Sequence, residues 1–179
     1  MPLPVNVEAL GRIDERQRHQ DRKPTLDQLV KPGNEHLAQY TIMANGAKQY
    51  GWKNDKGDDS LGTNCADARG WFGAHKISRY LARGFALWQM ELDRAVDDSV
   101  RNVRSEIRMD WGRFNRMGIV LAWELKGEIG KKARVFYEKP LTDPTHLNLQ
   151  RREIMDDGLY REVELVSRPG PKHCVQALR

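Results

Sequence analysis

Apolar residues recur at steps of three or four through a highly charged stretch: Phe85, Trp88, Leu92, Val96, Val100, Val103, Ile107, Trp111 and Phe114. With Val96 at zero and about 100° per residue, this row fills an arc from about −80° to +60°, while Arg94, Arg101, Arg104 and Arg108 fall between about +80° and +160°. The spacing predicts one long amphipathic helix over about residues 85–111. An earlier row, Trp71, Ala74, Ile77 and Leu81, runs into it in phase from a helix start near Thr63, Asn64 and Cys65. The region 65–83 is then either continuous with the long helix or hinged from it at Arg83-Gly84, where glycine costs about 1 kcal/mol relative to alanine. Asp110 falls inside the apolar arc, so it must lie beyond the buried stretch or be paired with a cation.

Elsewhere the signals are shorter. Leu37, Tyr40, Thr41, Ala44 and Ala47, with Asn34 as N-cap, fit a helix over 34–50. Residues 51–64, rich in Gly, Asn and Asp, read as a loop with Asp55, Asp58 and Asp59 near its tip. Residues 118–125 and 133–137 are dense in β-branched and aromatic side chains around a Lys- and Gly-containing turn and predict a hairpin, with a helix over 113–126 as the rival. Pro140, Asp143 and Pro144 mark a loop, 145–157 can hold a short helix, and 160–166 alternates as a half-buried strand. Residues 1–33, interrupted by Pro2, Pro4, Pro24, Pro32 and Gly33, read as an extended arm in which 6–20 can make a short polar helix with only Val7, Leu10 and Ile13 to bury. The expected fold class is α+β: mostly helical, with a small antiparallel C-terminal sheet, and with 34–179 forming a single globular domain.

Composition narrows this picture a little. The 179 residues are 39% hydrophobic and 31% charged, which suits a globular chain with a lean core and not a disordered one. The formal net charge is +5, and the stretch 66–117 carries ten basic residues against seven acidic. Arginine outnumbers lysine, which favours flat bidentate contacts to phosphate or carboxylate. A charge this small permits contact with nucleic acid and does not require it. The N-terminus lacks a basic segment followed by an apolar one, and no run of about 18 apolar residues occurs, so the expectation is a cytoplasmic or virion protein without membrane contact.

Candidate chemistry is sparse. Cys65 at a helix start would have its thiolate favoured by free N–H groups and the helix dipole, a placement that resembles papain-like hydrolases, with His146 or His173 as the base that the resemblance implies. The alternative is a small buried thiol. His75, His146, His173, Cys65 and Cys174 lack zinc-ligand spacing, Asp55, Asp58 and Asp59 lack the ligand pattern of a calcium loop, and no phosphate-cradling GxxxxGK[ST] loop occurs, so neither metal nor cofactor is expected.

Residues 44–54, Ala-Asn-Gly-Ala-Lys-Gln-Tyr-Gly-Trp-Lys-Asn, resemble the start of phage-type dATP/dGTP pyrophosphohydrolases. That resemblance implies an all-helical, metal-dependent enzyme. The expected histidine and acidic pairs do not follow, and Glu91, Asp93, Asp97 and Asp98 split between two helix faces. The remaining lead is the arginine stripe Arg94, Arg101, Arg104 and Arg108, extended by Arg113 and Arg116 and by the basic run Arg69, Lys76, Arg79 and Arg83, which fits phosphates, acidic residues of a second copy, or salt bridging within the helix. The expected function is a non-enzymatic structural or interaction subunit of a larger assembly, with self-association or a protein partner, and with nucleic-acid handling in a virion or mobile element as one form of it. The alternatives are a cysteine hydrolase through Cys65 and, ranked below it, a helical metal-dependent nucleotide pyrophosphohydrolase.

Overall fold

A computed structural model describes residues 37–45, 49–54, 63–67, 69–104, 106–146 and 150–164. The segment read as an arm, and His173 and Cys174, lie outside the described residues. Strand β1 (Ala38–Asn45) pairs antiparallel with β2 (Gln49–Asn54), and β2 pairs with the two-residue β3 (Thr63–Asn64). A small separate hairpin of β4 (Trp71–Phe72) and β5 (His75–Lys76) leads into two helices, α1 (Arg79–Arg101) and α2 (Trp111–Ile129). The chain then returns as β6 (Ala133–Tyr137), parallel to β1, and continues through β7 (Gln150–Ile154) and β8 (Tyr160–Glu164), each antiparallel to its predecessor. The resulting six-stranded mixed sheet runs β3-β2-β1-β6-β7-β8.

This corrects the expected fold class. The sheet is central and large, and its middle pair joins an N-terminal strand to one that follows the helices. The expected helix over 34–50 holds β1 and the first two residues of β2, and the rest of β2 falls in the stretch read as a loop. Tyr40, Ile42 and Ala44 face the helices, while Thr41 and Met43 on the other face are fully buried as well. A strand buried on both sides loses the polar alternation that identifies strands in a sequence. The same finding removes the all-helical fold implied by the pyrophosphohydrolase resemblance, because its segment supplies the end of β1 and the whole of β2. The short helix expected within 145–157 is β7, and the strand expected over 160–166 is present as β8.

The apolar row is assembled from two helices. Ser78 caps α1, its Oγ accepting from Leu81 N at 3.1 Å, and its N–H and hydroxyl donate to the carboxylate of Glu128 near the end of α2. The helix therefore begins at Arg79, and 65–78 holds the small β4-β5 hairpin in place of the expected first helix. It runs without a break through Gly84, where a Cβ would stand 2.8 Å from Leu121 Cδ2, so this glycine serves a close helix crossing and not a hinge. After Arg101 the chain leaves the helix. Val100 and Val103 are 72% and 92% exposed, and α2 starts afresh with Asp110 as its N-cap, Oδ1 accepting from Arg113 N at 2.9 Å. Asp110 sat inside the apolar arc because no helix passes through it. Residues 118–125 belong to α2 and not to the expected hairpin, and only 133–137 is a strand.

Phe85, Trp88 and Leu92 of α1 and Phe114, Leu121 and Leu125 of α2 form the core over Tyr40, Ile42, Val135 and Tyr137. Trp88 stacks on Phe114 at 4.8 Å and donates its indole N–H to the Phe114 carbonyl at 3.0 Å. The opposite sheet face is also buried, and ion pairs are embedded there among Met43, Phe136 and Val163. Arg134 Nε donates to Glu153 Oε1 at 2.7 Å, Arg161 Nη2 donates to Glu153 Oε2 at 2.7 Å, and Arg151 Nε donates to Glu138 Oε2 at 2.7 Å.

Candidate binding groove

The outward face of α1 and the loop between β3 and β4 enclose a groove of about 960 Å³. On the helix side it is lined by Arg79, Ala82, Arg83, Ala86, Met90, Asp93, Arg94 and Asp97. Arg79, Arg83 and Arg94 share an arc of about 60° at 100° per residue, with alanines beside them that keep the floor low. The facing wall is Tyr50 of β2 with Ala66, Asp67, Arg69 and Gly70.

Local chemistry holds both walls in place. Asp67 Oδ1 accepts from the backbone N–H of Arg69 at 2.9 Å and of Trp71 at 3.0 Å, closing the turn that presents the Arg69 side chain. Gly70 completes that turn at φ +80°, in the left-handed region that glycine tolerates. Tyr50 lies flat on Phe85, with ring centroids 5.1 Å apart and planes 6° apart, which fixes the orientation of its ring. Gln89, buried beneath the groove, binds the backbone of Asn45 and donates to Asp93 Oδ1 at 2.9 Å.

Seven charged groups therefore line one concavity: Arg69, Arg79, Arg83 and Arg94 against Asp67, Asp93 and Asp97. The four arginines are exposed, and none makes an ion pair with a described residue.

The six arginines expected to act together are dispersed. Arg94 lines the groove. Arg101 ends α1 on the same helix row, exposed. Arg104 lies past the helix and pairs with Asp98 at 2.9 Å. Arg108 is exposed in the connection between helices, Arg113 in the first turn of α2 pairs with Glu91, and Arg116 is exposed on α2. Three of the four groove arginines, Arg69, Arg79 and Arg83, were visible only as a basic run. Their signal was the interval 79, 83, 94, which a helix beginning at Ser78 converts into one row.

Cys65 follows β3 and caps no helix; its N–H donates to Gly51 O at 2.9 Å. Burial pushes its thiol up to about 12, against smaller opposing effects from the Gly73 N–H and Lys53, so the geometry does not supply a thiolate near neutral pH. His146 belongs to the loop after β6, with Nδ1 2.9 Å from the Lys139 carbonyl. Glu91 and Asp98 are held in ion pairs, apart from Asp93 and Asp97 in the groove. Among the described residues no cluster of three His, Cys, Asp or Glu could hold a metal ion, and no helix is long and apolar enough to cross a membrane. No protein-family model, curated protein or solved structure matches this chain.

Proposed function

We propose that this chain is a non-enzymatic binding subunit of a larger assembly, and that the groove along α1 is the surface through which it holds the phosphate backbone of a nucleic acid. The observation that carries this reading is the set of four guanidinium groups, Arg69, Arg79, Arg83 and Arg94, gathered around one concavity without ion-pair partners among the described residues. A guanidinium presents a planar fork of donors that matches phosphate oxygens, and an unpaired row of them raises the local concentration of a polyanion. The modest net charge fits a local footprint, since the attraction is concentrated in one groove and is not spread over the surface.

The test is retention on immobilised mixed-sequence nucleic acid together with light scattering of the bound and unbound material. Retention that is lost on raising salt, in a particle larger than one chain, supports the proposal. A monomer that passes through at low salt defeats it.

A further inference from the structure

Resting on that reading, we infer that the groove takes a single strand with its bases exposed, and excludes a duplex. Three features of the same site lead there.

The first is concavity. Arg69 stands on one wall and Arg79, Arg83 and Arg94 on the other, so a ligand that meets all four lies between the walls. A duplex carries its phosphates on the outside of a rod, and a helix reads it by standing proud of the protein and entering a major groove about 12 Å wide. The arginine face of α1 is flanked on one side by the β3–β4 loop, which crowds the approach of such a rod.

The second is the sign of the remaining charges. Asp67, Asp93 and Asp97 sit among the arginines and repel a continuous run of phosphates. Carboxylates accept hydrogen bonds from exocyclic amino groups and ring N–H groups. On the Watson–Crick edge those donors are free only in an unpaired strand. Asp97 is exposed and Asp93 has one oxygen engaged by Gln89, which leaves acceptor capacity facing the groove.

The third is the floor. Ala66, Gly70, Ala82 and Ala86 allow a backbone or a base to approach closely, and Tyr50, held flat by Phe85, adds an aromatic wall at one side. A phosphate-tracking groove combined with an aromatic surface is the arrangement that unpaired nucleic acids use.

The experiment is fluorescence anisotropy of the full chain with a labelled 12-nucleotide single strand, as RNA and as DNA, with the same sequence as a duplex, and with polyglutamate as a polyanion without bases. The inference requires either single strand to bind at least tenfold tighter than duplex and polyglutamate. Arg83→Gln should weaken every probe. Asp97→Asn, at an exposed position, should strengthen duplex binding and reduce the preference for the single strand several-fold, with an unchanged thermal melt showing that the fold is intact. Salt-sensitive binding of duplex as tight as single strand overturns this inference and leaves the proposed function standing. Absence of salt-sensitive binding to any nucleic acid overturns both.

Discussion

Gln89 holds both backbone groups of Asn45: its Oε1 accepts from the Asn45 N–H at 3.2 Å and its Nε2 donates to the Asn45 carbonyl at 2.6 Å. Asn45 ends β1, where the register with β2 slips between Ile42 and Asn45. One side chain thus ties the floor of the groove to the sheet. Gln89→Ala removes a hydrogen bond from each of these half-buried backbone groups, at roughly 0.5–1.5 kcal/mol apiece. Urea melts should show a loss of about 1–3 kcal/mol. An unchanged midpoint would mean that the clamp is not formed.

A second prediction concerns Glu153. Burial raises its pKa, but the hydrogen bond and charge of Arg134, with those of Arg161, outweigh burial and hold it below the usual 4.5. A carboxylate depressed in the folded state adds stability that is fully present above its unfolded value and is lost as pH falls through the folded one. Glu153→Gln leaves Arg134 and Arg161 without their shared anion in a buried site and should cost about 3–5 kcal/mol at pH 7. The gap between wild type and variant should shrink as pH drops below 4.5. A gap that is constant with pH would contradict the ionic role.

Alkylation reads Cys65 directly. Its thiol, pushed up to about 12 by burial, stays protonated near neutral pH. Iodoacetamide should modify the Cys65 peptide slowly in the folded protein and rapidly after denaturation, as mass spectrometry of the digest will show. Fast modification of the native chain at pH 7 would restore the thiol hydrolase reading.

Two glycines separate tight packing from helix propensity. At Gly118 an added Cβ would lie 2.4 Å from the Tyr137 ring and 2.6 Å from Trp88, both fully buried. At Gly84 it would meet only the tip of Leu121, a flexible side chain. Gly118→Ala should destabilise by about 3 kcal/mol through overpacking. Gly84→Ala should stay within about 1 kcal/mol of wild type, since better helix propensity offsets a small rotamer shift. Equal thermal shifts for the two variants would contradict the packing described.

The pattern of the sequence identified real core residues and joined them wrongly. Phe85, Trp88, Leu92 and Phe114 are core, but the bridge between them ran through Val100 and Val103, which are exposed, because helical phase survived the turn by coincidence. Asn102 and Asp110, one ending α1 and the other capping α2, were the available stop and start signals. The alternating strand at Tyr160 was legible because polar residues interleave there. β1 was not, since both of its faces are buried. In α2 the dense run of Ile119, Val120 and Leu121 mimics a strand, and only its length and the cap at Asp110 favour a helix. The groove was half legible: Arg94 came from the helix row, whereas the opposite wall depends on the turn that presents Arg69 and on the pairing that brings Tyr50 of β2 against Phe85 of α1.

The most direct test of the arginine groove is the salt dependence of oligonucleotide affinity in wild type and in an Arg83→Gln/Arg94→Gln double variant. If all four guanidiniums contact phosphate, the slope of log affinity against log salt for a single strand should be about −2.8, a loss of about fiftyfold between 50 and 200 mM. Removing two should bring the slope to about −1.4. A wild-type affinity indifferent to salt, or a double variant that binds with the wild-type slope, would contradict the account.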